Sequence, residues 1–146
     1  MAHAFSDIYI HLTFSTYRRH LYLGKDARDF IFPYMIGIMN NLNAPVLRIG
    51  GADEHVHILF RMPKDRTLME LIMKVKANSS RHIKTKGTDC EIFSWQEGYC
   101  AISVSPSAVD RVSRYIDNQE KHHQTRSYRD EILSMLRNGN INLDEE

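Results

Sequence analysis

From Asp7 to Thr16 the chain alternates Ile8, Ile10, Leu12 and Phe14 with Tyr9, His11 and Thr13. A period of two among β-branched and aromatic residues predicts a strand with one buried face. Between about Lys25 and Leu42 the apolar positions Phe30, Ile31, Tyr34, Met35, Ile38 and Met39 take helical spacing, with a kink expected at Pro33. Ala44 to Gly50 and Glu54 to Met62 return to strand character, and Gly51-Ala52-Asp53 between them supplies turn chemistry, which predicts a hairpin. Thr67 followed three residues later by Glu70 has the form of a capping box and opens a helix expected to reach about Lys84. Another strand fits Tyr99 to Val104. Ser105 and Pro106 then suit the start of a helix that carries Val109, Val112, Tyr115 and Ile116. A last helical stretch is expected around Arg129 to Leu136, ending at Asn138-Gly139 before a polar, acidic tail over about 139–146 that should fray.

The order strand, helix, strand, strand, helix, strand, helix is the split β-α-β pattern of the α+β class. It implies a four-stranded antiparallel sheet with helices on one face and the other face free for a ligand or partner. With 146 residues, of which 42% are hydrophobic and 25% charged, one domain spanning 1–146 is expected. No basic stretch followed by an apolar run opens the sequence, and no window is long and apolar enough for a bilayer, so a cytoplasmic protein without a membrane partner is expected. Cys90 and Cys100 do not form a C-x-x-C pair and are read as packed, reduced thiols.

The candidate chemistry lies in two short patterns. In His55-Val56-His57, strand alternation projects both imidazoles from one face, pre-aimed at a single ion. Glu54 is expected on the opposite face, as a turn residue and not a ligand. Tyr115 and Gln119 stand four apart on the helix after the fourth strand, so a phenol and an amide oxygen share a face there. Neither pattern is specific alone; their conjunction is. A metal held by two nitrogens and one oxygen keeps open positions for a substrate. His122 and His123, three and four residues beyond Gln119, could swing toward such an ion.

The net charge of +1 decides nothing about nucleic acid, but its distribution does. Lys64, Arg66, Lys74, Lys76, Arg81, Lys84 and Lys86 face only Asp65 and Glu70 over the same stretch, and Arg18-Arg19 after the first strand make a second patch. Arg18, Arg19, Lys74, Lys76, Arg81 and Lys84 are the candidate DNA contacts. Trp95 and Tyr99 could stack on bases, although core packing is the commoner use of such residues.

The blocks GGADEHVHILFRMP, LMELIMKVKANSSRHIK, WQEGYCAISVS and RVSRYIDNQEKHH, taken in order over roughly residues 8 to 123, resemble those of the transposases of small single-strand insertion sequences, the single-tyrosine HUH class that includes REP-associated relatives. The resemblance implies a ferredoxin-like (RRM-like) fold with an additional C-terminal catalytic helix, Tyr115 as nucleophile, and His55, His57 and Gln119 as ligands of Mg2+ or Mn2+. It further implies a homodimer acting on hairpin-bearing single-stranded DNA, with active sites that could be shared between subunits. In that chemistry the tyrosine cuts a strand and keeps the bond as a 5′ phosphotyrosine, so rejoining needs no ATP, consistent with the lack of a G-x-x-x-x-G-K-[ST] loop. Two other readings share part of this pattern: a domesticated relative that processes chromosomal repeat hairpins, and a non-catalytic nucleic-acid module using the open sheet face. Intact His55, His57, Tyr115 and Gln119 argue against the second.

Overall fold

The computed structural model describes residues 4–138. The alternating segment forms β1 (Tyr9–Ser15), and the helical spacing after it forms α1 (Lys25–Asn41), which runs through Pro33. A hairpin follows, β2 (Val46–Ala52) and β3 (His55–Arg61). Gly51 and Ala52 belong to β2, and the turn lies at Asp53-Glu54, later than the Gly51-Ala52-Asp53 turn expected from composition. Thr67 caps α2 (Leu68–Ile83), its hydroxyl oxygen accepting the Glu70 backbone N–H at 3.1 Å. Glu70 itself turns outward to Arg66 and Lys74, so the box is only half made. Then come β4 (Cys100–Val104), a 3-10 turn at Pro106–Ala108, α3 (Val109–Asp117), α4 (Gln119–His123) and α5 (Tyr128–Asn138). The expected end of the last helix at Gly139 and the tail at 139–146 lie outside the described residues.

The sheet has the order β2-β3-β1-β4 with every neighbouring pair antiparallel, the ferredoxin-like arrangement. Strand alternation sorts its side chains into two layers. Leu12, Phe14, Val56, Ile58 and Phe60 point to the face covered by α1 and α2, where Ile31, Met35, Met39, Leu71, Val75 and Ile83 complete the main core. Both cysteines are free and buried, as expected. Trp95 packs edge-on against Phe14 and Phe93 and donates its indole N–H to Ser79, which makes it a core residue. No helix among the described residues is long and apolar enough to cross a membrane.

The second face differs from expectation. It is not free: Leu59, Cys100 and Val104 pack there with Val112, Tyr115 and Ile116 of α3 and Met135 of α5. The physical reason is that α3 has a strong apolar stripe and follows β4 through a tight turn at Ser105 to Ala108, which folds it back across the sheet. Two features set how closely it sits. Gly50 lies directly beneath the end of α3, and a β-carbon there would stand 2.5 Å from the Ile116 carbonyl oxygen. Arg28 of α1, itself buried, donates to Asp53 at 2.9 Å and pairs with Glu120, tying α4 to the β2–β3 turn. A Gly50→Ala substitution should therefore lift the α3–α4 junction and cost about 1–3 kcal/mol, the usual range for overpacking. Denaturant unfolding reads this directly; an unchanged midpoint would show that the junction relaxes freely.

Candidate metal and nucleophile site

The β1–β3 register builds the floor of the site. Thr13 pairs with His57 and Ser15 with His55, so His11, Thr13 and Ser15 share the second face with His55, His57 and Leu59. His11, His55 and His57 are all fully buried beneath the C-terminal helices. Each imidazole of the motif is held by its Nδ1. His55 Nδ1 donates to Glu54 Oε1 at 2.7 Å, and His57 Nδ1 is bonded to His11 Nε2 at 2.8 Å. Both Nε2 atoms are thereby turned toward the same interior point. Glu54 contradicts its expected placement: it sits in the turn, where strand alternation does not apply, and its carboxylate curls back onto His55.

Two oxygens meet these nitrogens. Gln119 Oε1 lies 2.7 Å from His55 Nε2, and Glu131 Oε2 of α5 lies 3.1 Å from His57 Nε2 and 3.6 Å from His55 Nε2. Burial lowers the pKa of His57 against the opposing pull of Glu131, and burial together with the neighbouring His57 puts that of His11 well below the usual histidine value. Both rings are therefore neutral near pH 7, the form that offers a lone pair. Burial would raise the Glu131 carboxyl, but the hydrogen bond from His57 and its nearness to the two imidazoles hold it low. His55 Nε2 and the Gln119 oxygen are thus one nitrogen and one oxygen aimed at the same interior point, a pair of donor atoms that a cation can take. Ligand atoms about 2.1 Å from one ion stand roughly 3.0–3.4 Å apart, close to the separations seen here. His55, His57 and Glu131 could together hold a divalent ion, as could Glu54, His55 and His123 in an adjoining group.

The expectation that Tyr115 and Gln119 share one helix needs correcting. α3 stops at Asp117, and Asn118 leaves the helical path at φ −105° and ψ 23° while its side-chain amide donates to the Arg114 carbonyl oxygen at 2.9 Å. Gln119 therefore begins a separate short helix, yet both side chains still converge, each only 1% exposed. The Tyr115 ring stands edge-on to His57, with centroids 5.9 Å apart, and stacks on His122 at 4.7 Å. Burial, with the negative charge of Glu131, pushes its phenol far above the usual value. The Tyr115 hydroxyl, Gln119 Nε2 and Glu131 Oε1 are buried atoms without a hydrogen-bond partner among the described residues. Such polar atoms are unusual in a purely structural interior.

His122 thus lies against the phenol, and His123 Nε2 pairs with Glu54 Oε2 at 2.9 Å. Tyr128, which the sequence reading did not single out, places its ring 4.5 Å from that of His55 and its hydroxyl 3.1 Å from Thr13 Oγ1. Glu131 and His11 were missed as well. His11 shares the polar side of β1 and could have been found by pairing that strand with the His55-Val56-His57 strand. For Glu131 no local signal exists.

The basic residues divide between two places. Arg18 and Arg19 are exposed, hold left-handed backbone angles (φ 51° and 57°), and line clefts with Tyr128, Arg129, His123 and Arg126 beside the site. Lys74, Lys76, Arg81 and Lys84 ride on or just beyond α2, which packs against the opposite face of the sheet. They do not lie beside the imidazoles. The Lys76 ammonium is committed to the carbonyls of Gln96 and Gly98 at 2.8 and 2.6 Å.

Comparison with known proteins agrees with this fold. The family model described as "Transposase IS200 like" matches residues 4–119. Among solved structures, a candidate transposase of Deinococcus radiodurans R1 superposes with a TM-score of 0.65 at 19% identity, covering 82% of this chain and 95% of the other. A REP-associated tyrosine transposase bound to a REP hairpin superposes at 0.63 and 13% identity, covering 84% of this chain and 72% of the other. A search of curated protein sequences found no match. The family match spans most of the chain, and the protein accordingly belongs to the IS200-like transposase family, whose members are DNA-processing enzymes.

Proposed function

We propose that the protein is a metal-dependent transposase that cleaves and rejoins single-stranded DNA through Tyr115. The observation that carries this reading is the convergence, in one buried site, of His55 Nε2, His57 Nε2 and Gln119 Oε1 beside the phenol of Tyr115. His55, His57 and Gln119 would hold the ion, of which Mg2+ and Mn2+ suit a mixed nitrogen and oxygen set in a DNA-processing enzyme. What an ion held there would supply is polarisation of the scissile phosphate and stabilisation of charge developing on its oxygens. Glu54 and His11 keep the two imidazoles oriented. Tyr115 supplies the nucleophile: its oxygen bonds to phosphorus, the bond from phosphorus to the 3′ oxygen breaks, and the phenolic proton is replaced on the departing 3′ hydroxyl. Rejoining reverses these steps with a different 3′ hydroxyl.

The phenol needs that help. Its burial and the nearby carboxylate hold it protonated at neutral pH, so in the ion-free arrangement Tyr115 is a poor nucleophile. For the substrate, the similar structure that carries a REP hairpin supports hairpin-bearing single-stranded DNA. The Arg18-Arg19 segment, at the mouth of the clefts leading to Tyr128 and His123, is the better-placed contact for its backbone. A homodimer joined through the unpaired edges of β2 and β4 or through helices would present two nucleophiles and bring severed ends together.

Incubating the protein with labelled single-stranded hairpin DNA and Mn2+ should yield a covalent adduct on a denaturing gel. Tyr115→Phe should abolish the adduct, and so should His57→Ala or excess chelator. An adduct that survives in Tyr115→Phe would refute the nucleophile, and one that survives chelator would refute the metal role. Reversing charge at Arg18 and Arg19 should weaken hairpin binding and lower the salt slope by about 1–2, one unit per lost phosphate contact. The same change at Lys74 and Arg81 should matter less, and equal effects would place the DNA across α2 as well. In this chain Tyr115 lies against its own histidines. Mixed dimers of Tyr115→Phe and His57→Ala subunits should therefore remain inactive, whereas restored cleavage would show sites shared between chains.

A further inference from the structure

Glu131 has no part in the reading above, and it lies beyond residues 4–119, where the family model ends. It is nevertheless fully buried, and one of its oxygens stands within ligand distance of both Nε2 atoms of the motif while the other lacks any hydrogen-bond partner among the described residues. A buried carboxylate is costly unless a cation compensates it. The partners seen here are the two imidazoles, and no lysine or arginine pairs with it among the described residues. A favourable place in the first turn of α5 does not explain the burial either, since an exposed carboxylate interacts with a helix N-terminus equally well.

Resting on the metal reading of the preceding section, we propose that Glu131 is a fourth protein ligand that occupies the ion's substrate position in the DNA-free protein and gives it up to an oxygen of the scissile phosphate. The exchange is of like for like, one anionic oxygen for another, and no covalent bond changes. Burial makes it necessary. His55, His57, Gln119 and Glu131 are each no more than 1% exposed, so a phosphate can reach the ion only if the α5 side of the site yields. The segment joining α4 to α5, residues 124–127, is a short turn, and α5 rests on the second core mainly through Met135 and Ile132.

Titration of the full chain with Mn2+ alone, followed by the electron paramagnetic resonance of the free ion, tests this. Without DNA, Glu131→Gln should weaken Mn2+ binding about 10- to 100-fold, the scale of a lost supporting group at a metal site or more. With single-stranded hairpin DNA bound, in a Tyr115→Phe background that prevents cleavage, the difference should vanish. Unchanged Mn2+ affinity in Glu131→Gln overturns the proposal, and an equal loss with and without DNA overturns the exchange. His57→Ala separates the two readings. If it binds Mn2+ as wild type does, the metal site itself is refuted; if it loses Mn2+ while Glu131→Gln does not, only this inference falls. Thermal melting in chelator completes the test. The neutral, isosteric substitution should leave the midpoint unchanged or higher, whereas an unfolded Glu131→Gln protein would show the carboxylate to be structural and overturn the proposal.

Discussion

Antiparallel pairing of β1 with β3 underlies everything else in the site, because it places three histidines on one face of a sheet that is then roofed over by helices. Side chains alternate along each strand, so the register that sends Val56, Ile58 and Phe60 into the main core also sends His55 and His57 the other way. A slip of one residue would exchange the two sets. The apolar core on one face therefore specifies the position of the ligands on the other. Full burial of His55 and His57 is tolerable because each Nδ1 has a partner, Glu54 for His55 and His11 for His57, whereas His11 Nδ1 has none among the described residues.

The same roof raises a functional conflict. Catalysis on DNA requires access, yet α3, α4 and α5 bring Tyr115, Gln119 and Glu131 down onto the imidazoles until almost no surface is left. Close approach is set by Gly50 under the α3–α4 junction and by Arg28 holding Glu120. These anchors act on the Tyr115 and Gln119 side. The Glu131 side is held by fewer apolar contacts and a short connection, which makes α5 the element that can move at least cost.

Electrostatics points the same way. Imidazole nitrogens, an amide oxygen and a carboxylate held low form a concentration of electron pairs that suits a divalent ion and repels a phosphate without one. Positive charge arrives from the rim, where Arg18 and Arg19 hold strained backbone angles beside the cleft. The more numerous basic residues of α2 lie across the sheet, and part of their charge is spent within the protein on Glu70 and on carbonyl oxygens.

Periodicity together with cap and turn residues was sufficient for the seven main elements, because these are local properties that the chain carries wherever it packs. The His55-Val56-His57 pair was legible for the same reason: two residues apart on a strand, they share a face in any fold. Tyr115 and Gln119 were legible as residues but not as a helix face, since Asn118 ends α3 by a departure from the helical path that spacing does not encode. What only the tertiary structure decided is which distant groups complete the site. His11 meets His57 through strand register across 46 positions, and Glu131 meets it through the docking of a helix 74 positions away. Neither contact follows from a motif: the first depends on the pairing of β1 with β3, and the second on the closing of α5 over a sheet face that the chain's own pattern had left open.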